Sequence, residues 1–224
     1  DAALFEAMAG PLLELERWVA RSSHGLHALS RAVTEDVAET SGEPLDPSGL
    51  TISPLGVPDR GRPAPPPSDG QSARFLFVGR FEKRKGIDLL LDAVPGLLEA
   101  SPGSTVTFVG RDDLPAADGR SYRESFEQRH AGAPWLDRVE FRGEVPDDEV
   151  WAAYQACDVF VAPSRFESFG LIYVEAMSFA RPVVALELGA AQDVVVDGVT
   201  GRLVAPNADA LRDALVELAG SSDL

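Results

Sequence analysis

Apolar positions recur at helical intervals near the start of the chain and in short unbroken runs from residue 74 onward. Phe5, Met8, Leu12, Leu15 and Val19 stand three or four residues apart, which predicts an amphipathic helix kinked or split at Gly10-Pro11. A short apolar run follows at residues 25–29. Ser30 then reads as the N-cap of a helix reaching about Glu39, and residues 50–53 form a strand candidate ending at Pro54. This is too little to make a stable domain by itself. Residues 62–70, Arg-Pro-Ala-Pro-Pro-Pro-Ser-Asp-Gly, carry too much proline for a helix or a central strand and read as a stiff connector.

Beyond the connector, buried-type runs at 74–78, 105–109, 139–141, 159–162, 182–185 and 201–204 predict strands. Helix-period segments at 87–99, 121–130, 147–156, 170–179, 191–196 and 207–219 lie between and after them. The last is the clearest, with Leu211, Ala214, Leu215, Leu218 and Ala219 on one face. Pro95 predicts a kink or an early end in helix 87–99. Strand–helix alternation with near-continuous apolar strands predicts an α/β fold, a doubly wound, parallel, six-stranded Rossmann-like sheet. No repeat of solenoid period is present. The expected organisation is the end of one domain at 1–60, a Pro-rich linker at 61–73 and a Rossmann-like nucleotide-binding domain at 74–224.

Composition narrows the function. At 45% hydrophobic and 25% charged residues, the chain is of packed globular type, not disordered or fibrous. No run approaches 18 apolar residues, so no membrane-spanning helix is expected. A formal charge of -16 argues against a nucleic-acid partner, whose phosphates it would repel. The single cysteine, Cys157, excludes an internal disulfide framework and a thiolate zinc cage, fits a reducing compartment, and reads as a core residue. The chain opens on Asp1 with no initiator Met or signal peptide, and reads as a piece of a longer protein.

Ligands of an open parallel sheet bind outside the carboxyl ends of its strands. After the first of the six strands comes Gly79-Arg80-Phe81-Glu82-Lys83-Arg84-Lys85-Gly86, which holds both lysines of the chain. Four cations within six residues, just before a helix, suit an anion such as a diphosphate; the competing reading is a solvated charge run. After the fourth strand, residues 163–177 read Pro-Ser-Arg-Phe-Glu-Ser-Phe-Gly-Leu-Ile-Tyr-Val-Glu-Ala-Met. Gly170 opens a helix whose first N–H groups are free and whose dipole favours an anion. Glu175, about a turn and a half on, is placed to accept two hydrogen bonds from a ribose diol. Taken singly, Glu167 is also readable as an ordinary loop acid and Glu175 as a helix-surface acid.

The whole segment resembles the signature of family-four retaining glycosyltransferases with the GT-B fold, two glutamates separated by seven residues in the setting E-S-F-G-L-I-Y-V-E-A-M. Gly79-Arg80 and Lys85-Gly86 resemble that family's diphosphate loop, and Phe141-Arg142-Gly143-Glu144-Val145-Pro146 its segment beside the nucleotide base. Arg181-Pro182-Val183-Val184 and residues 197–204 resemble the stretches that close the domain. The resemblance runs from about Ile52 to Ala219 and implies the donor half of a GT-B fold preceded by a remnant of the acceptor domain.

By that resemblance Arg80 and Lys85 bind the donor diphosphate and stabilise the charge developing on it, Glu167 contacts donor-sugar hydroxyls, and Glu175 holds the ribose. Gly79 belongs to the diphosphate loop. The amides of Ser168, Phe169, Gly170 and Leu171 meet the sugar and the distal phosphate. Arg142 and Val145 lie near the base, through backbone contacts. Such enzymes need no metal and no cofactor beyond the UDP- or GDP-linked sugar substrate. No D-x-D pair occurs; Asp112-Asp113 and Asp147-Asp148 are adjacent, the second reading as a helix start.

The chain departs from the family in three places. Only the last sixty residues of the acceptor half are expected here, and His24 and His27 stand outside the context of that half's usual histidine. The C-terminal helix that crosses back to the acceptor domain is not expected before Leu224. Gly189-Ala190-Ala191-Gln192-Asp193 replaces a commoner Gly-Gly-x-x-Glu run. Arg111 is an extra cation near the crevice. The function expected is transfer of a hexosyl group to an acceptor hydroxyl on a glycan, lipid or small molecule, with the fragment inactive without the rest of the acceptor domain. A nucleotide-sugar-binding module without transfer, or a sugar-nucleotide epimerase or phosphorylase of the same architecture, are the alternatives. The expected location is cytoplasmic, with the inner membrane face open for the full-length protein.

Overall fold

A computed structural model describes residues 10–11, 14–19, 21–42, 44–58 and 72–221. The Pro-rich run at 62–70 and the expected helix positions Phe5, Met8 and Leu12 lie outside these residues. The chain divides into two compact units, Asp1–Leu55 and Gly56–Leu224.

In the first unit, residues 14–19 are helical, and a parallel strand pair joins β1 (Leu26–Ala28) to β2 (Leu50–Ile52). The apolar run near residue 25 is therefore a strand. Helix α1 (Arg31–Ser41) lies between the two strands in sequence, with the Ser30 hydroxyl accepting the Val33 N–H at 3.2 Å, as an N-cap should. It runs past Glu39 because Gly42, at φ 72°, closes it with an N–H to the Glu39 carbonyl. Trp18, within the helical residues 14–19, is 66% exposed.

The second unit is a six-stranded, all-parallel sheet in the order β5-β4-β3-β6-β7-β8. Its strands are β3 (Arg74–Val78), β4 (Thr105–Val109), β5 (Val139–Gly143), β6 (Val159–Ala162), β7 (Val183–Leu186) and β8 (Gly201–Val204). Helices α2 (Ile87–Ala100), α3 (Tyr122–Arg129), α4 (Asp147–Ala156), α5 (Leu171–Ser178), α6 (Ala191–Val194) and α7 (Ala208–Ala219) connect and follow them. Alternation along each strand sends side chains to opposite faces. Phe75, Phe77, Val106, Phe108, Val159 and Val161 pack with α2, α3 and α7. Leu76, Val109, Phe160 and Ala162 pack with α4 and α5 on the other face. Both faces are covered, which is why the central strands are apolar at every position.

Most helix ends follow their caps. Ser121 and Glu124 form a capping box for α3, and the Asn207 side chain accepts the Ala210 N–H ahead of α7. Asp147, Asp148 and Glu149 fill the first turn of α4, where carboxylates complement the helix dipole. The expected early end at Pro95 does not occur, and α2 continues to Ala100. Burial of Leu90, Leu91, Val94, Leu97 and Leu98 on both sides of the proline outweighs the one lost backbone hydrogen bond. At the amino ends of the strands, Asp158 binds the Arg74 backbone N–H at 2.7 Å and its guanidinium at 2.9 and 2.8 Å, tying β3 to β6. Among the described residues, no helix is long and apolar enough to cross a membrane.

Candidate functional site

Strand order reverses between β3 and β6, so the chain leaves these neighbours toward opposite faces, into α2 and α5. The crevice at their carboxyl ends is where a doubly wound sheet takes a ligand. The loops entering it are residues 79–86 after β3 and 163–170 after β6.

The first loop is pinned from beneath. The Gly79 N–H donates to the Val109 carbonyl at 2.9 Å, and the Phe81 N–H to the Arg111 carbonyl at 2.8 Å. The buried Phe81 ring meets Phe77, Phe108 and Phe141 with centroids about 6 Å apart. Lys83–Lys85 then form a single 3-10 turn closed by Gly86 at φ 71°. A Cβ on Gly86 would stand 1.8 Å from the Pro163 carbonyl oxygen. Only glycine lets this turn rest against the end of β6, which brings Lys85 to the second loop.

There Lys85 Nζ meets Glu167 Oε1 at 2.6 Å, with only 16% and 12% of the two side chains exposed. The Ser164 hydroxyl donates to the same oxygen at 2.8 Å. Among the described residues, nothing bonds the other Glu167 oxygen. The two loops are further laced together. The Arg165 N–H donates to the Arg84 carbonyl at 2.8 Å, and the Arg165 guanidinium donates to the Lys83 carbonyl. That guanidinium also forks onto Asp88, in the first turn of α2, at 2.7 and 2.9 Å. Phe169 is buried and Ser168 exposed. Gly170, at φ 82°, precedes α5; a Cβ there would fall 2.3 Å from the Tyr173 ring, which occupies the space beneath the turn. Leu171 and Ile172 head α5, and the Tyr173 N–H donates to the Gly170 carbonyl at 2.9 Å. Burial, and then the Glu167 charge, push the Tyr173 phenol above its ordinary range.

Glu175 is half-buried on α5 and accepts the Tyr154 hydroxyl of α4 at 3.2 Å. Burial, followed by the charge and hydrogen bond of Glu175, raises the Tyr154 phenol well above its usual range, so it stays a donor. Of the expected site residues, the fold brings Lys85 of the first loop onto Glu167 of the second, and Gly170 and Glu175 follow Glu167 into α5. Sequence reasoning missed Ser164, Arg165, Asp88, Phe81 and Tyr154. The signals were faint: a Ser directly after a strand-ending Pro, an aromatic inside a cationic loop, a tyrosine on an amphipathic helix.

Other expected site residues stand apart. Arg80 is exposed, and its guanidinium lies 4.0 Å from Glu82. Arg142 pairs with Glu140 on its own strand at 2.9 Å, and that hydrogen bond raises its pKa. It lines a groove of about 460 Å³ with Arg74, Thr107, Arg138 and Ala156, rather than joining Lys85 or Glu167. Val145 is half-buried before α4 and packs toward Tyr154 and its neighbours. Arg111 forms an exposed pair with Asp113 at 3.4 Å. Asp112 accepts the N–H groups of Tyr122 and Arg123 at 3.0 and 2.9 Å, a helix-capping role. Cys157 is buried and its thiol is pushed up to about 12 by desolvation, as fits a core residue.

A doubly wound parallel sheet with two facing, interlocked loops at its switch point defines an α/β protein of Rossmann-like type. Residues 72–221 match the family described as Glycosyl transferases group 1, and the chain belongs to that family. It is 40% identical over 146 residues to a phosphatidyl-myo-inositol mannosyltransferase of Mycobacterium leprae, which covers 64% of this chain and 36% of that protein. It is 29% identical over 205 residues to a glycogen synthase of Mycobacterium tuberculosis, covering 89% of this chain and 46% of that protein. The chain thus spans a third to a half of the length of these curated relatives. Among solved structures, Anabaena Alr3699/HepE in complex with UDP and glucose superposes with a TM-score of 0.73 at 23% identity, covering 93% of this chain and 59% of that one. A sucrose-phosphate synthase of Thermosynechococcus elongatus does so with a TM-score of 0.69 at 26% identity, over 93% and 54% of the two chains. These likenesses establish the GT-B type of fold.

Proposed function

We propose that this chain is the donor side of a retaining glycosyltransferase that binds a nucleoside-diphosphate sugar in the crevice between β3 and β6 and passes its hexosyl group to an acceptor hydroxyl. The observation that carries the reading is the Lys85–Glu167 contact, which joins the cationic loop to the loop entering α5 at the switch point of a group 1 glycosyl transferase. Lys85 and Arg80 take the diphosphate, with the amides of Ser168 to Leu171 at the amino end of α5 beside it. Glu167 accepts sugar hydroxyls through its second oxygen. Glu175, oriented by Tyr154, accepts the ribose hydroxyls. The backbone around Arg142 and Val145 borders the base.

The chemistry follows from these roles. The bond between the anomeric carbon and the distal phosphate oxygen breaks, and the electron pair leaves with the nucleoside diphosphate. Lys85, Arg80 and the helix dipole stabilise that charge without a metal ion. The acceptor hydroxyl attacks from the face the leaving group departs, so the configuration is retained, and its proton passes to the departing phosphate. Neither Glu167 nor Glu175 is assigned as a covalent nucleophile.

In the same reading, residues 1–60 are the end of the acceptor domain, 61–73 the linker and 74–224 the donor domain, working on the cytoplasmic side. Acceptor choice, whether glycan, lipid or small molecule, rests with the acceptor half. Calorimetric titration of the 224-residue chain with UDP, GDP and ADP tests the proposal. One of these nucleoside diphosphates binds, and chelation of divalent ions leaves the affinity unchanged. If none binds, the proposal fails.

A further inference from the structure

The cation proposed to take the diphosphate already has a carboxylate partner, and that carboxylate is held in place. Glu167 Oε1 receives Lys85 at 2.6 Å and Ser164 at 2.8 Å, and Ser164 is itself 3% exposed. Its loop is fixed by the Arg165 fork onto Asp88 and by Gly86 lying against Pro163. A phosphate oxygen at hydrogen-bond distance from the same ammonium comes within about 5 Å of the Glu167 carboxylate. What covers that phosphate then decides whether the carboxylate attracts or repels.

We propose that Glu167 makes the site prefer a sugar-esterified diphosphate over the free nucleoside diphosphate, and so favours release of the leaving group once transfer is complete. In the ester, sugar hydroxyls stand between phosphate and carboxylate and donate to its second oxygen. In the free diphosphate no hydroxyl intervenes, and the terminal phosphate carries up to one further negative charge. Two like charges about 5 Å apart, with most of each side chain shielded from water, cost about tenfold or more in affinity. The inference rests on the proposed donor-binding reading and concerns the regulation of that same site.

The test measures dissociation constants of the 224-residue chain for UDP and UDP-glucose, and for GDP and GDP-mannose. Each is measured on the wild type, on Glu167→Gln, and on Asp92→Asn, which removes one negative charge from the exposed flank of α2. Glu167→Gln is expected to bind the free diphosphate about tenfold more tightly and the sugar ester no more tightly, while Asp92→Asn leaves the ratio unchanged. If Glu167→Gln weakens both ligands alike, Glu167 only orders Lys85, and the inference is overturned while donor binding stands. If the wild type binds none of the four, both fall. The wild type supplies a second readout that needs no folded variant. The methyl ester of the nucleoside diphosphate, which lacks both the extra charge and the sugar hydroxyls, binds more tightly than the free diphosphate. Equal or weaker binding of the ester overturns the inference.

Discussion

Two ion pairs join the same two neighbouring strands, one at each end. Below β3 and β6, Arg74 and Asp158 meet through three hydrogen bonds, with the carboxylate 8% exposed and both its oxygens engaged. Above them, Lys85 and Glu167 meet through one, with Ser164 on the same oxygen and the other left open. The lower pair is closed: both carboxylate oxygens are engaged within the fold, and the hydrogen bond that Arg74 donates to Asp158 raises the Arg74 pKa. The upper pair is strongly shielded yet incomplete. The open Glu167 oxygen keeps lone pairs available to a ligand hydroxyl. The difference separates an ion pair that holds the sheet from one that, in the proposed function, handles a ligand.

The sharpest way to break the comparison is at Lys85. Lys85→Ala is expected to weaken UDP or GDP binding by about 3 kcal/mol, because it removes a charge-assisted bond and leaves Glu167 facing the phosphate unpaired. Uridine or guanosine affinity stays within about 0.5 kcal/mol. Equal losses on the nucleoside and its diphosphate, measured by calorimetry, would remove the diphosphate assignment.

At the closed end the effect moves from binding to folding. Asp158→Ala leaves the Arg74 N–H and guanidinium without an acceptor and is expected to cost about 2–3 kcal/mol of stability, less than for a fully buried pair because the Arg74 side chain is partly exposed. Urea denaturation reads this, and nucleotide affinity of the folded fraction is unchanged. A stability loss at Lys85 as large as at Asp158 would erase the distinction between the two pairs.

Glu175→Ala is expected to weaken nucleotide binding by about 2 kcal/mol. The Tyr154 hydroxyl already engages one of its oxygens, so the ribose gains less than two free acceptors would give. An unchanged dissociation constant would rule out the ribose role. The smallest effect belongs to Arg142. Its side chain is occupied by Glu140 along the edge strand, and Arg142→Ala is expected to shift affinity by less than about 0.5 kcal/mol, since in the proposed function base contacts there run through backbone. A tenfold loss would mean the side chain itself reads the base.

Much of this was legible along the chain. The central strands β6 and β7 are buried at all four positions, and four consecutive apolar residues bounded by turns announce that. Ser30, Ser121 and Asn207 cap helices by local hydrogen bonds that need no tertiary partner. Of the kink or early end expected at Pro95, the early end does not occur, because α2 is held by leucines on both sides of the proline, which only packing reveals. Leu15 and Val19, on the apolar face that helical periodicity marks, are 55% and 47% exposed, since periodicity does not say whether anything covers that face.

What the order of residues determined by itself is the set of short-range events: alternating strands and helices, capped ends, glycines at the turns, and two chemically charged loops placed after strands. Those depend on neighbours within a few positions, and hydrophobic period and cap chemistry encode them. Only the tertiary structure decided that Lys85 would meet Glu167, 82 residues away, and that Tyr154 would meet Glu175. Parallel strands are joined by crossovers that carry the chain over a whole face of the sheet, so neighbours at the switch point are distant in sequence. Their contact is set by the strand order and by a turn tight enough to admit only Gly86.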